Sequence, residues 1–134
     1  MKGMRQVHWL ARGSLAFMFA YHGLVPKLIA LSPGEQMLLQ AHGLEHSTWL
    51  AQAAGAAELV LAAVLLLLPR LNWPLLLGGL ILLALLVDVA IMQPSMLLDA
   101  FNPVTLNVAG MALCAIAWAT RTRDQSPWGS QERS

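Results

Sequence analysis

The sequence has little charge and almost no cysteine. Only 11% of its 134 residues are charged, against about 25% in an ordinary soluble domain. This low charge excludes a soluble globular enzyme, and a formal net charge of +1 gives no reason to expect a nucleic-acid partner. The single cysteine, Cys114, excludes an internal disulfide, a CxxC redox pair and c-type haem attachment. Any role in electron transfer therefore requires a bound cofactor or a partner protein.

Hydrophobic residues make up 57% of the chain and concentrate in four long stretches. A membrane-spanning helix needs about 20 mostly apolar residues, and each stretch is close to that length. The predicted spans are residues 7–25, 48–68, 73–92 and 104–120. We therefore predict an all-α integral membrane protein, with a four-helix bundle in residues 1–120 and a polar, disordered cytoplasmic tail in residues 121–134.

The basic residues indicate the orientation of these spans. Lys27 is the one basic residue on the side of the two longer loops. The other seven lie on the opposite side: Lys2, Arg5, Arg12, Arg70, Arg121, Arg123 and Arg133. Since basic residues concentrate on the cytoplasmic side of a membrane, both termini are predicted to be cytoplasmic. The expected location is a bacterial cytoplasmic (inner) membrane, which the chain crosses several times.

Each longer loop contains a proline followed by a short amphipathic segment. Residues 35–44 follow Pro33 and Gly34, and residues 95–101 follow Pro94. Both segments are typical of short helices at the membrane interface. Asn102 followed by a proline then predicts an N-cap and the first residue of the last helix.

Six polar residues lie within the predicted spans or near their outer ends, and they are the candidate site: Arg12, His22, Lys27, Glu58, Asp88 and Asn107. Ionisable groups inside a bilayer are costly, so each needs a partner or a wet cavity. With a rise of ~1.5 Å per residue, Arg12 is predicted to reach Glu58. The other four are predicted to form a polar pocket in the outer leaflet, with Glu58 beneath it.

Two interpretations of these residues remain open. In the first, they bind a ligand or a proton. Pro26 favours this interpretation slightly, because its missing N–H leaves the carbonyl of His22 available. In the second, they form structural pairs that hold a small bundle together, since ion pairs also occur without any catalysis.

Residues 42–46, His-Gly-Leu-Glu-His, fit the HxxEH pattern of inverted zinc peptidases. Such a site needs two histidines on successive turns of one helix, with a glutamate as the base. Gly43 weakens the helix, the pattern crosses a boundary between helix and loop, and no clear third ligand follows. We therefore predict no metal site.

The chain resembles the DoxX-like family of small four-span membrane proteins. Arg12 and then residues 21–27, Tyr-His-Gly-Leu-Val-Pro-Lys, are similar to the opening helix of that family. Glu58 ahead of a leucine-rich run is similar to its second span, and Asn107 to the start of its fourth. The resemblance extends to Ala119. Its most specific part is the His-Gly-x-x-Pro-Lys stretch, which is most similar to the branch sometimes fused behind an NAD-binding epimerase-like domain.

The resemblance implies an accessory membrane subunit rather than an autonomous enzyme. DoxX relatives are associated with a thiosulfate:quinone oxidoreductase subunit and with membrane oxidoreductase assemblies. It therefore implies a lipophilic ligand such as a quinone, without a covalently bound cofactor, beside the six candidate residues. The expected partners are the lipid bilayer, a membrane or soluble redox protein and a second copy of the chain. Two alternatives stay open: a non-catalytic assembly or chaperone-like protein, and a small-molecule transporter.

Overall fold

The computed structural model describes residues 2–124 of the chain, and these contain helices and no strand. The five α-helices are α1 (Lys2–Gly23), α2 (Pro33–Ala41), α3 (Thr48–Leu67), α4 (Trp73–Met92) and α5 (Pro103–Asp124). A π-helical segment (Leu24–Ile29) continues α1, and a 3₁₀ segment (Pro94–Leu98) follows α4. The predicted all-α class is confirmed for this part of the chain.

Three helices are by themselves long and apolar enough to cross a membrane: α3, α4 and residues 103–121 of α5. Residues 2–29 pass the same test only together with α2, from which they are separated by a bend of 80°. The described residues therefore contain three candidate spans, or four if this bent pair counts as one. The first span is the least apolar because basic and polar residues occupy the beginning of α1.

The long helices pack around one apolar core. Helix α1 lies between α3 and α5, and α5 also packs against α4. Fully buried core residues come from several of these helices, including Leu15 of α1, Leu65 of α3 and Ala117 of α5. The outward surface is also apolar: Leu67 is 76% exposed and Leu10 is 72% exposed. A chain that buries polar groups and exposes large apolar ones is suited to a lipid environment.

Short capping motifs determine where the connecting helices begin and end. The Oγ atom of Ser32 accepts a hydrogen bond from the backbone N–H of Glu35 at 3.2 Å, with a proline at the first position of α2. Helix α2 ends at Ala41 with His42 as its C-cap, and Gly43 then takes a left-handed φ of +68°. The predicted cap of the last helix is confirmed, because Asn102 Oδ1 accepts from the N–H of Thr105 at 3.0 Å.

The chain turns sharply after the π-helical segment. Pro26 lies inside this segment, and its carbonyl accepts a hydrogen bond from the N–H of Ser32 at 2.9 Å. Because a proline cannot donate to the preceding turn, the regular α-helical ladder is interrupted here. The following bend brings α2 back against α4. The interrupted segment also determines the position of Lys27.

Helix α5 continues to Asp124, four residues beyond the predicted end of the last span at Thr120. Residues 125–134, which belong to the predicted cytoplasmic tail, lie outside the described residues.

Candidate functional site

Lys27 and Glu58 form a buried ion pair between the end of the first helix and the middle of α3. The Nζ atom of Lys27 lies 2.5 Å from Oε1 of Glu58, and the two side chains are only 7% and 9% exposed. Glu35 of α2 approaches the same ammonium group, with its Oε1 3.5 Å from Nζ, and is 24% exposed. One cation is thus shared between a buried carboxylate and a more accessible one.

Two glycines allow the helices to come close enough for this pair. A Cβ atom built on Gly23 would lie 2.5 Å from the carbonyl oxygen of Gly55, and one built on Gly55 would lie 2.5 Å from the carbonyl oxygen of Gly23. Real Cβ atoms essentially never come so near, so only glycine fits at either position. Small residues at a helix contact in a membrane let the two backbones approach. Here the approach places Glu58, one turn after Gly55, beside Lys27.

One oxygen of the pair has no hydrogen-bond partner among residues 2–124. Oε2 of Glu58 is buried and makes no hydrogen bond to the described residues. An ionised carboxylate accepts several hydrogen bonds, and a buried acceptor left without one is costly. This atom is therefore suited to accept a hydrogen bond from a hydroxyl group or a water molecule.

The predicted pairing of Arg12 with Glu58 is wrong. Arg12 is fully buried, and its guanidinium donates instead to three carbonyl oxygens at and just after the end of α3: Leu65 at 2.8 Å, Leu68 at 3.3 Å, and Leu71 in the loop to α4 at 3.2 Å. The last carbonyls of a helix lack intrahelical partners, and a cation near them also interacts favourably with the helix dipole. Arg12 thus caps α3 at the end of the molecule opposite to α2.

Asp88 is not joined to the Lys27–Glu58 pair. Its Oδ1 lies 2.9 Å from Nε2 of His42, the residue at which α2 ends, and its side chain is 38% exposed. Asp88 therefore connects α4 to α2, whereas a pocket with Lys27 was predicted. The depth of Asp88 along its span, predicted from the helix rise, was not enough to identify the residue that it contacts.

The remaining two candidate residues make no hydrogen bond to the pair that the structure describes. His22 is half-buried and interacts electrostatically with both Lys27 and Glu35. Asn107 is 5% exposed on the buried face of α5, and no hydrogen bond links its side chain to the other site residues that the structure describes. The single polar pocket expected from the sequence is thus divided into separate contacts.

Two residues of the contacts were missing from the predicted site, namely Glu35 and His42. Both lie on or at the end of α2, which the sequence predicted as a short helix at the membrane interface. A signal for Glu35 existed, because Ser32, Pro33 and an acidic residue in the first turn are typical of a helix start. No signal in the sequence indicates that this helix folds back over Lys27.

The HxxEH pattern does not form a zinc site of the peptidase kind. His42 ends α2 and Gly43 has a left-handed backbone, so the two histidines are not on successive turns of one helix. His46 is 95% exposed, and its Nε2 lies 3.9 Å from Oε1 of the neighbouring Glu45. No group of three or more metal-ligating side chains is found among residues 2–124.

Two shallow depressions lie on the exposed side of α1, at the opposite end from α2. One, of about 380 Å³, is lined by residues 9, 10, 13, 14 and 17, and the other, of about 610 Å³, by residues 5, 6, 9 and 10. Neither includes Lys27 or Glu58. The Lys27 and Glu58 side chains are only 7% and 9% exposed, so a ligand there requires a local opening.

A family model covers most of the chain. The sequence model of a family described as the DoxX-like family matches residues 16–115. This range includes Lys27, Glu58 and Asp88 and leaves out Arg12. No curated protein and no solved structure matches the chain.

Proposed function

This chain belongs to the DoxX-like family of small membrane proteins, and from that membership we propose that it is an accessory subunit that binds a lipophilic ligand such as a quinone at the Lys27–Glu58 pair. In this proposal four helices cross a bacterial inner membrane as a bundle: α1 with its π-helical segment, α3, α4 and α5. Both termini lie in the cytoplasm. A redox protein is the proposed partner, and the ligand is held without a covalent bond.

The topology is supported by contacts that gather the basic residues at one end. Arg12 bonds to the end of α3, and Arg121 of α5 donates to the side chain of Asn72 at the start of α4. His8 near the beginning of α1 lies 2.9 Å, through Nδ1, from the carbonyl oxygen of Ala117. These contacts bring the N-terminus, the α3–α4 loop and the end of α5 together, which agrees with the bias of basic residues towards the cytoplasm.

The observation that carries the ligand proposal is the unpartnered Oε2 of Glu58. It lies next to a lysine ammonium, in a part of the chain enclosed by apolar helices. Oε2 offers an acceptor to a ligand hydroxyl, and the ammonium offers a donor to a ligand oxygen. A quinone in its reduced form carries hydroxyl groups, which can donate to Oε2 and accept from the ammonium. Its apolar tail makes it soluble in the membrane.

Native mass spectrometry of the protein extracted gently from its own membrane tests this proposal. We expect an adduct of quinone mass on the wild-type protein and on Glu45→Gln, a control in which a half-exposed carboxylate is removed. We expect the adduct to be absent from Glu58→Gln. A wild-type protein without a small-molecule adduct, or a Glu58→Gln protein that retains it, would overturn the proposal.

A second measurement avoids the variant altogether. A ligand that binds only the folded protein raises its melting temperature, so a short-chain quinol should stabilise the wild-type protein in detergent. An equal concentration of the same compound with both hydroxyls methylated is the control, because it cannot donate to Oε2. Equal melting temperatures with the two compounds would contradict the ligand site.

A second function, assembly of a partner without any chemistry, is favoured by one observation. Leu98 is 89% exposed and Phe101 is fully exposed in the loop before α5, on the side where α2 lies. In that case the ion pair is structural and the loops bind the partner. Replacing Glu35, His42 and Glu45 together should then abolish association with the partner and leave the ligand content unchanged.

A further inference from the structure

The imidazole ring of His42 lies between two hydrogen-bond acceptors. Its Nδ1 is 2.7 Å from the carbonyl oxygen of Leu38, and its Nε2 is 2.9 Å from Oδ1 of Asp88. A carbonyl oxygen can only accept, so Nδ1 carries a hydrogen. Nε2 then faces a carboxyl group, and a hydrogen bond there needs a second proton, on the ring or on the carboxyl. The hydrogen-bonded pair therefore carries one proton more than a neutral histidine and an ionised aspartate that do not touch.

Helix α2 depends on polar contacts at its two ends. Near its start Glu35 approaches Lys27, and at its end His42 contacts Asp88 of α4. None of the residues of α2 is buried, so it has little apolar packing to keep it in place. Elements with few buried apolar contacts open at a low free-energy cost.

We propose that α2 is a lid over the Lys27–Glu58 pair, and that the proton shared by His42 and Asp88 keeps this lid closed. Opening the lid removes Glu35 from Lys27 and exposes the buried pair to the outer aqueous side. The inference rests on the proposed function only for the nature of the ligand that then reaches Glu58.

The charged groups around this contact are few. From α4 the group facing His42 is Asp88, and in the loop after α2 Glu45 and His46 interact with each other. The 3₁₀ segment, which approaches α2 through Met96 near Gly34, contains no titratable side chain. At the other end of α2, Glu35 faces Lys27 and interacts with His22.

The direction of the pH dependence follows from His42. The hydrogen bonds to the Leu38 carbonyl and to Asp88 raise the pKa of His42 above its ordinary value of 6.5. A raised pKa in the folded protein means that the contact contributes fully below pH 6.5 and is lost as the pH rises through the raised pKa. The lid is therefore closed in mildly acidic solution and opens in alkaline solution.

Chemical labelling of Lys27 tests whether the lid opens. Lys2 and Lys27 are its two lysines, and they can be distinguished by mass spectrometry after labelling with a membrane-impermeant amine reagent. The protein is reconstituted into liposomes, and the labelling rate of Lys27 in each variant is divided by that of the wild type at the same pH. This ratio cancels the pH dependence of the reagent itself.

His42→Ala removes the contact from α2, and Asp88→Leu removes it from α4. At about pH 6 both variants should label Lys27 roughly tenfold faster than the wild type, since a hydrogen bond to a charged group is lost. At about pH 9 the ratio should fall towards one, because the wild-type lid is then also open. His46→Ala, which removes an exposed histidine four residues away, should give a ratio near one at both pH values.

Labelling of the buried Cys114 with a membrane-permeant thiol reagent reports on the core in the same samples. Its rate should stay unchanged in both lid variants. Ratios near one for His42→Ala and Asp88→Leu at about pH 6, or an equal effect of His46→Ala, would overturn the lid. A faster reaction of Cys114 would assign the effect to loss of the fold and would overturn it as well. The readout needs no ligand, so its failure is distinct from a failure of the quinone proposal.

Discussion

The Nζ atom of Lys27 and the Oε1 atom of Glu58 lie 2.5 Å apart, although 31 positions separate the two residues in the chain. The contact joins a π-helical segment to the middle of a membrane helix. It depends on Pro26, which interrupts the first helix, and on the close approach of Gly23 to Gly55. This pair is the central polar feature of the fold, and it is the one at which a ligand is proposed.

Removing one partner of this pair should destabilise the protein strongly. Lys27→Met leaves the Glu58 carboxylate buried without its cation, which costs about 3 to 5 kcal/mol in comparable buried pairs. The double variant Lys27→Met with Glu58→Met has no buried charge and should recover most of this loss. Reversible unfolding by denaturant in detergent micelles measures both free energies.

The other lysine provides the control for this prediction. Lys2→Met changes an exposed side chain, and its effect should remain within about 0.5 kcal/mol. If Lys27→Met were as stable as Lys2→Met, the ion pair would contribute nothing to the folded state.

Replacement of Arg12 should weaken the end of α3. Arg12→Leu removes three hydrogen bonds to carbonyl oxygens, and the Leu68 carbonyl keeps only the N–H of Leu71. We expect a loss of about 3 kcal/mol. Arg12→Lys keeps the charge but lacks the planar set of donors, so it should recover only part of the loss. Hydrogen exchange of the backbone amides in α3, followed by mass spectrometry, should show faster exchange in its last two turns. Arg5 lies at an exposed position of α1, the helix that also carries Arg12, so Arg5→Leu should leave the exchange of α3 unchanged. Faster exchange of α3 in Arg5→Leu would contradict a specific role for Arg12.

Because Gly23 contacts α3 and Gly13 does not, we expect alanine substitutions at these two positions of α1 to change stability in opposite directions. Gly23→Ala places a methyl group against the backbone of α3, which should cost about 1 to 3 kcal/mol through displacement of the helices. Gly13→Ala meets nothing within 4 Å and should be neutral or stabilising by up to about 1 kcal/mol, because alanine favours a helix. Melting temperatures of the two variants in the same detergent make the comparison. Equal melting temperatures would mean that the two helices do not cross as closely as described.

The proposed topology predicts which positions are accessible from outside the cell. In a Cys114→Ser background, Gln40→Cys at the exposed side of α2 should react with an impermeant maleimide added to intact cells. Gly3→Cys, near the start of α1, should react only after the membrane is permeabilised. The reverse pattern would place the termini outside, and reaction of both positions in intact cells would exclude a fixed orientation.

The sequence predicted the helices well because local properties determine them. The long apolar runs that form α3 and α4 predict helices of membrane-spanning length, and the predicted residues 48–68 and 73–92 coincide with these helices within one residue. The cap by Asn102 was also predicted, since a side chain that accepts from an N–H three residues later needs no distant partner.

The partners of the polar residues were predicted less well. Helix periodicity predicted the faces of Arg12 and Glu58, and helix rise predicted the heights of both residues and of Asp88. Neither predicted which helices are neighbours. Arg12 was assigned to Glu58 because both were expected inside the bundle at compatible depths. In the structure the Arg12 side chain reaches the carbonyl oxygen of Leu65 near the end of α3, and Lys27 forms the ion pair with Glu58.

The sequence by itself determined that this protein is all-helical, apolar on its surface and provided with a few costly buried polar groups. Composition and periodicity are sufficient for this, because they act through local hydrogen bonding and through the exclusion of apolar side chains from water. Only the tertiary structure decided which of these groups meet. The bend after Ile29 returns α2 to the bundle, so that Glu35 contacts Lys27 and His42 contacts Asp88. Such pairings depend on how whole helices pack and turn, which no local pattern of residues specifies.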